Sequence, residues 1–174
     1  MKQTIKVKVL TDGCAPQIIG KGDWIDLRAA ADVHIDSPYA HTKSKKGGET
    51  TRKVKFTHQY VPLGIAMELP AGMEALVAPR SSSIKNFQFI MPNSPSVIDN
   101  VYNGDKDEWK GSILCVGDVN IKKGDRICQF RILPSQKATV WQKLKWLFSN
   151  GVEIRIVDSL GNENRGGLGS TGVK

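Results

Sequence analysis

Gln3-Thr4-Ile5-Lys6-Val7-Lys8-Val9-Leu10 alternates apolar and polar side chains with a period of two. That period places Ile5, Val7 and Val9 on one face and Lys6 and Lys8 on the other, as in a half-buried β-strand. Similar short runs recur at Val54 to Tyr60, Ile65 to Leu69, Glu74 to Ala78, Ser112 to Val116, Arg126 to Ile132 and Val152 to Val157. Turn formers separate them: Pro62, Gly64, Pro70, Gly72, Gly117, Asp118 and Lys123-Gly124-Asp125. Short strands with little helix between them predict an all-β fold, an antiparallel sandwich or barrel. One insertion departs from the pattern. Between Ser135 and Ser149, the side chains of Val140, Trp141, Leu144, Leu147 and Phe148 share one helical face, and Asn150-Gly151 supplies a stop. The expected place of that stripe is against the core.

The chain has 174 residues, of which 40% are hydrophobic and 24% charged. This suits one globular domain, read as residues 1–160, and argues against a disordered protein. Residues 161–174 form a separate glycine-rich tail, expected to be mobile when nothing binds it. No run approaches the roughly 18 apolar residues of a membrane helix, and the N-terminal residues lack the apolar stretch of a secretory signal. Cys14, Cys115 and Cys128 are widely spaced and read as free thiols of a reducing, cytoplasmic setting. The net charge of +8 is concentrated in two places. His41 to Lys55 holds six basic residues against Glu49, its part from His41 to Thr51 reading as an exposed loop or hairpin tip, and Ser135 to Ser149 holds Lys137, Lys143 and Lys145 with no acid. Such clusters read as solvated surface ahead of a nucleic-acid site.

Several segments carry groups suited to phosphate chemistry. Pro79-Arg80-Ser81-Ser82-Ser83 follows a strand and offers a guanidinium beside clustered hydroxyls. In Asn93 to Gly104, the apolar pair Val97-Ile98 leads into Asp99, with Tyr102 three residues on. A carboxylate next to apolar neighbours is expected to be partly desolvated, which raises its basicity toward that of a general base, and a tyrosine ring offers a flat face to a sugar. In Lys123 to Phe130, strand alternation puts Gln129 on the same, inward face as Ile127. The tail ends in Gly167-Leu168-Gly169-Ser170-Thr171-Gly172, whose bare N–H groups can approach phosphate oxygens beside Arg165. No helix follows that run, so a dinucleotide fold is excluded, and Val173 stands where a P-loop needs lysine.

Taken in order, with Lys21-Gly22-Asp23-Trp24-Ile25-Asp26-Leu27-Arg28-Ala29 near the start, these segments resemble the five motifs of the trimeric all-β dUTPase family. The resemblance runs from about Lys6 to Gly172. It implies a distorted antiparallel β-barrel or jelly-roll-like sandwich, a homotrimer whose active sites combine motifs from all three subunits, and hydrolysis of dUTP to dUMP and diphosphate with Mg²⁺ on the triphosphate. Residue by residue, Asp26 matches an acid that meets the hydration shell of that Mg²⁺. Arg80, Ser81 and Ser82 match residues gripping the phosphates, and Gln129 an α-phosphate contact. Asn93 matches a uracil contact on a hairpin that continues through Val97 and Ile98. Asp99 matches the carboxylate that activates water, and Tyr102 the ring beneath the deoxyribose. Arg165, Gly167, Leu168, Gly169 and Ser170 match the tail that closes over the γ-phosphate. Trp24, Ser96 and Leu168 stand where the family usually has glycine, glycine and an aromatic ring. Two other readings compete: dCTP deamination on a similar fold, and a non-catalytic nucleotide-binding homologue with a regulatory protein partner. Against the first, Gly111 to Asn120 lacks the glutamate that deamination uses.

Overall fold

The computed structural model describes residues 2–20, 22–44 and 50–166, without the side chains of residues 40–52. Fourteen strands and two short helices follow one another among the described residues. The strands that build the core are β1 (Gln3–Val9), β2 (Ile25–Arg28), β7 (Ile65–Glu68), β8 (Met73–Pro79), β11 (Lys110–Cys115) and β13 (Arg126–Pro134). β1 and β8 alternate buried and half-buried residues, as their period-two sequences require.

Three sheets close around one core. The central one has the order β10-β8-β13-β2, with β10 spanning Ser96–Asp99. A second runs β14-β1-β7, with β14 at Val152–Ile156. A third runs β6-β11-β9, with β6 at His58–Pro62 and β9 at Phe89–Ile90. β3 (Val33–Ile35) pairs with β12 (Val119–Ile121), and β4 (Tyr39–Ser44) with β5 (Thr50–Lys55). The expected hairpin tip is thus bounded by β4 and β5, and residues 45–49 lie outside the described residues. The core is Ile-, Val- and Leu-rich around Trp109, Phe89 and Phe130, with Trp109 and Phe130 edge to face at 5.3 Å.

The all-β expectation holds, with three corrections. The pairing is not antiparallel throughout: β14 adds to β1 in parallel, Ile5 opposite Ile154. Two strands distant in sequence can join in either sense, because no tight turn fixes their direction. The run from Val54 to Tyr60 is the end of one strand and most of another.

The third correction concerns the helix. α2 spans only Val140–Leu147, started by a capping box in which the Thr139 hydroxyl accepts from Gln142 N–H and the Gln142 side chain accepts from Thr139 N–H. Its apolar stripe faces away from the core: Trp141 is 80% exposed and Phe148 76%. Trp146, outside that stripe, is the side chain that packs inward. Periodicity defines a face without saying which way it turns. No helix among the described residues is long and apolar enough to cross a membrane.

Candidate functional site

The sequence-selected residues fall into two clusters, one at each end of β8. At the C-terminal end, β8 runs into Pro79-Arg80 and then α1 (Ser83–Phe87). The Arg80 Nε bonds one oxygen of Asp26 at 2.7 Å, and Arg126 Nη1 bonds the other at 2.9 Å. The carboxylate is 14% exposed and accepts two charge-assisted bonds, the stronger class of hydrogen bond. Ser83, which sequence reasoning left out of the site, anchors this turn. Its buried hydroxyl donates to the Ile127 carbonyl at 2.9 Å and accepts from the Arg80 N–H at 3.0 Å. Spacing alone could have suggested it, since a serine three residues past Arg80 suits a local side-chain-to-backbone bond. Ser81 is exposed and Ser82 half-buried beside it.

Gln129 belongs to the same cluster, on the face opposite to the expected one. A register shift between Arg126 and Cys128 lets both Ile127 and Cys128 point inward, and thereafter Phe130 and Ile132 are buried. One extra residue reverses the parity of everything after it. Gln129 is therefore half-buried on the outer side, donating from Nε2 to the Pro79 carbonyl at 3.2 Å. Beneath it the buried Cys128 thiol is pushed up to about 12, by desolvation first and by the Asp26 charge second, so it stays protonated.

The other cluster lies on β10 and the loop after it. Asp99 is 57% exposed and its Oδ2 meets Arg165 Nη1 at 3.4 Å. The expected desolvation is not supplied by the neighbouring pair: Ile98 packs on the core, but Val97 is 58% exposed. Tyr102 is half-buried, with its hydroxyl donating to the Glu108 carbonyl at 3.0 Å; burial raises its pKa and keeps the phenol neutral. Asn93 is exposed. Residues 164–166 bond to the loop after β10. Asn164 Oδ1 accepts from Lys106 N–H at 2.7 Å, and the buried Asp107 accepts from Arg165 N–H at 2.9 Å. Gly167, Leu168, Gly169 and Ser170 lie outside the described residues.

The two clusters do not meet within one chain. Asp99 is in register with Glu74, whereas Ala78 pairs with Gln129 and Gln129 with Asp26. From β10 to β2 is three strand spacings, and from Glu74 to Ala78 four residues, so Asp99 and Asp26 are about 20 Å apart across the sheet. Arg80 also reaches toward β2, away from β10.

Comparison with known proteins gives this arrangement its relatives. A dUTPase family model matches residues 48–145. The chain belongs to the dUTPase family. It is 47% identical over 154 residues to the SPbeta prophage-derived deoxyuridine 5'-triphosphate nucleotidohydrolase YosS of Bacillus subtilis, spanning 88% of this chain and 87% of that protein. It is 36% identical over 118 residues to the deoxyuridine 5'-triphosphate nucleotidohydrolase of Maricaulis maris, covering 66% of each. Among solved structures, the dUTPase of Streptococcus mutans superposes with a TM-score of 0.60 at 18% identity, over 77% of this chain and 98% of that one. A mutant dUTPase from phage phi11 of S. aureus, described with a structural Mg(II) ion, gives 0.59 at 14% identity, over 78% and 94%. At those identities the structural likeness concerns the fold, and it agrees with the all-β architecture of this dUTPase-family chain.

The donor set also bears on the expected Mg²⁺. Among the described residues no three His, Cys, Asp or Glu side chains gather as a metal site. Asp26 has both oxygens engaged by guanidinium groups. This suits an ion carried by a nucleotide and met through water, and does not suit an ion held by side chains alone.

Proposed function

We propose that the protein hydrolyses dUTP to dUMP and diphosphate, lowering dUTP and supplying dUMP for thymidylate synthesis. Family membership and the 47% identity to a named dUTP nucleotidohydrolase support the reaction. Asp99 would accept a proton from a water as that water's oxygen bonds to the α-phosphorus. The bond from the α-phosphorus to the bridging oxygen then breaks, and diphosphate leaves. Tyr102 would lie beneath the deoxyribose, and Asn93, Val97 and Ile98 would form the base pocket. Arg80, Ser81, Ser82 and Gln129 would hold the phosphates, and Arg165 with Gly167, Leu168, Gly169 and Ser170 would cover the γ-phosphate. Bound Mg²⁺ would supply charge neutralisation on the triphosphate, with Asp26 holding it through water.

One observation carries the shared-site reading: Asp99 and the Asp26–Arg80 cluster stand about 20 Å apart on one sheet. A base and a phosphate grip that act on one nucleotide have to converge. The simplest way is for the β10 hairpin of one copy to face the β8 end of another, which calls for a closed homo-oligomer; that it is a trimer follows from the family resemblance. The test is diphosphate release from dUTP, dTTP, dCTP and UTP measured side by side with Mg²⁺, together with mass in solution. Release from dUTP alone, by a trimer, is the expected result. Release from UTP at a similar rate would overturn the sugar-ring role of Tyr102, ammonia from dCTP would replace the reaction, and an active monomer would overturn the sharing of sites.

A further inference from the structure

Among the described residues Asp107 is the one buried carboxylate, 2% exposed, and no family motif quoted above includes it. Its partners are all backbone N–H groups. Oδ2 accepts from Gly104 at 2.9 Å and from Arg165 at 2.9 Å, and Oδ1 accepts from Gly166 at 3.3 Å. A carboxylate buried without a cation beside it is held by such donors, and each is a charge-assisted bond. Two of the three lie 58 and 59 residues away along the chain, so Asp107 joins the loop after Asp99 to the root of the tail.

The neighbouring contacts close the same joint. Asp105 accepts from Leu160 N–H and the Ser159 hydroxyl, both at 2.7 Å, and Lys106 N–H donates to Asn164 at 2.7 Å. Gly104 lies so close to the tail that a Cβ there would meet the Asn164 Cα at 2.6 Å. Ordinary loop packing would not aim three main-chain donors at one acid. The geometry points to Asp107 as a positioning residue. It clamps Arg165 and Gly166 to the hairpin of their own chain, so that the Arg165 side chain is presented beside Asp99. Asp107 touches no nucleotide; it acts through Arg165.

This inference rests on the dUTP reading for its kinetic consequence but not for the clamp itself, so the two can fail separately. Amide hydrogen exchange on the full-length protein reads the clamp. Asp107→Asn turns one acceptor oxygen into a donor facing N–H groups, and exchange at Arg165 and Gly166 should quicken roughly ten- to hundredfold. Gly104→Ala leaves Asp107 in place and pushes the tail root from the other side; it should quicken the same two amides. This second variant serves if Asp107→Asn does not fold. Unchanged exchange in a folded variant overturns the clamp.

Steady-state hydrolysis of dUTP then reads the role. Asp107→Asn should lower kcat/KM roughly tenfold, yet change it less than about twofold in an Arg165→Ala background, because the groups act in series. An equal loss in both backgrounds means Asp107 supports the fold alone and overturns its role. Absence of dUTP hydrolysis in the parent protein would sink the functional reading while the exchange result stands.

Discussion

At one end of β8, Arg80 and Arg126 close on both oxygens of Asp26, which is 14% exposed; at the other, Asp99 is 57% exposed and meets a single guanidinium at 3.4 Å. The first end is assembled within the chain. Ser83 pins its turn to β13, and Gln129 bonds the β8 backbone beside it. The second end presents its acid to solvent, with order coming from the loop and tail root behind it. Groups that neutralise phosphate charge gain from being fixed in advance, since reorganising them during the reaction costs energy. On the proposed reading, an acid that would receive both water and nucleotide would stay open until a second copy covers it. The contrast is between a finished half-site and one awaiting its complement.

The sharpest way to break the comparison is to neutralise the open acid. Asp99→Asn should cut turnover by roughly two to four decades, the usual worth of a positioned base, while dUTP binding by calorimetry is retained. Turnover close to that of the parent would remove Asp99 from the mechanism. A second test addresses the separation of the ends. Asp99→Asn and Arg80→Ala are each expected to be inactive. If they are unfolded and refolded together in equal amounts, intact sites should reappear in about a quarter of positions, since each site draws its two ends from different copies. Diphosphate release by the mixture, against neither variant alone, checks this; a mixture as inactive as its parts would mean both ends act within one chain.

How much of this could be read from sequence follows the same divide. Alternation in Gln3 to Leu10 and Glu74 to Ala78 is a local property, and those strands form where it predicts. Arg80, Asp99 and Tyr102 stand out in the sequence because their neighbours carry distinctive chemistry, and the structure puts Arg80 at one end of β8 and Asp99 at the other. What sequence did not carry is relational. The parallel joining of β14 to β1 depends on partners about 150 residues apart. The inward face of Gln129 was misjudged because a bulge at Arg126/Cys128 changes parity without any sign in the residue types. The α2 stripe was assigned to the core although its exposure depends on where Trp146 anchors the helix. Asp107 was invisible for a plainer reason: one acid in a loop of charged residues looks solvated until its three N–H donors are seen.

A smaller effect separates the two ends by stability. Asp26→Asn removes the charge from two short bonds in a largely buried setting, and should cost about 1–3 kcal/mol by denaturant unfolding. Asp99→Asn removes an exposed pair and should change stability by less than about 1 kcal/mol. Equal losses in the two variants would erase the distinction between the finished and the open end.

The smallest effect concerns the loop that supports the open end. Asp105 has its pKa lowered, first by the Leu160 N–H, then by the Ser159 hydroxyl, with Lys8 at 3.3 Å adding to it. A carboxyl whose folded pKa lies below its unfolded value stabilises the fold above the unfolded value, and that stabilisation is lost as pH falls through the folded one. The difference in Tm between the parent and Asp105→Asn should therefore be constant near neutral pH and shrink as pH drops below about 3.8, the ordinary value for this group. The Lys8 and Asp105 side chains are still 26% and 30% exposed, so the difference at neutral pH should be small, about a degree or two. A Tm difference for Asp105→Asn that grows on acidification would mean the carboxyl is tied to residues 159 and 160 in its protonated form, and the loop would then hold the tail root by a neutral bond instead of a charged one.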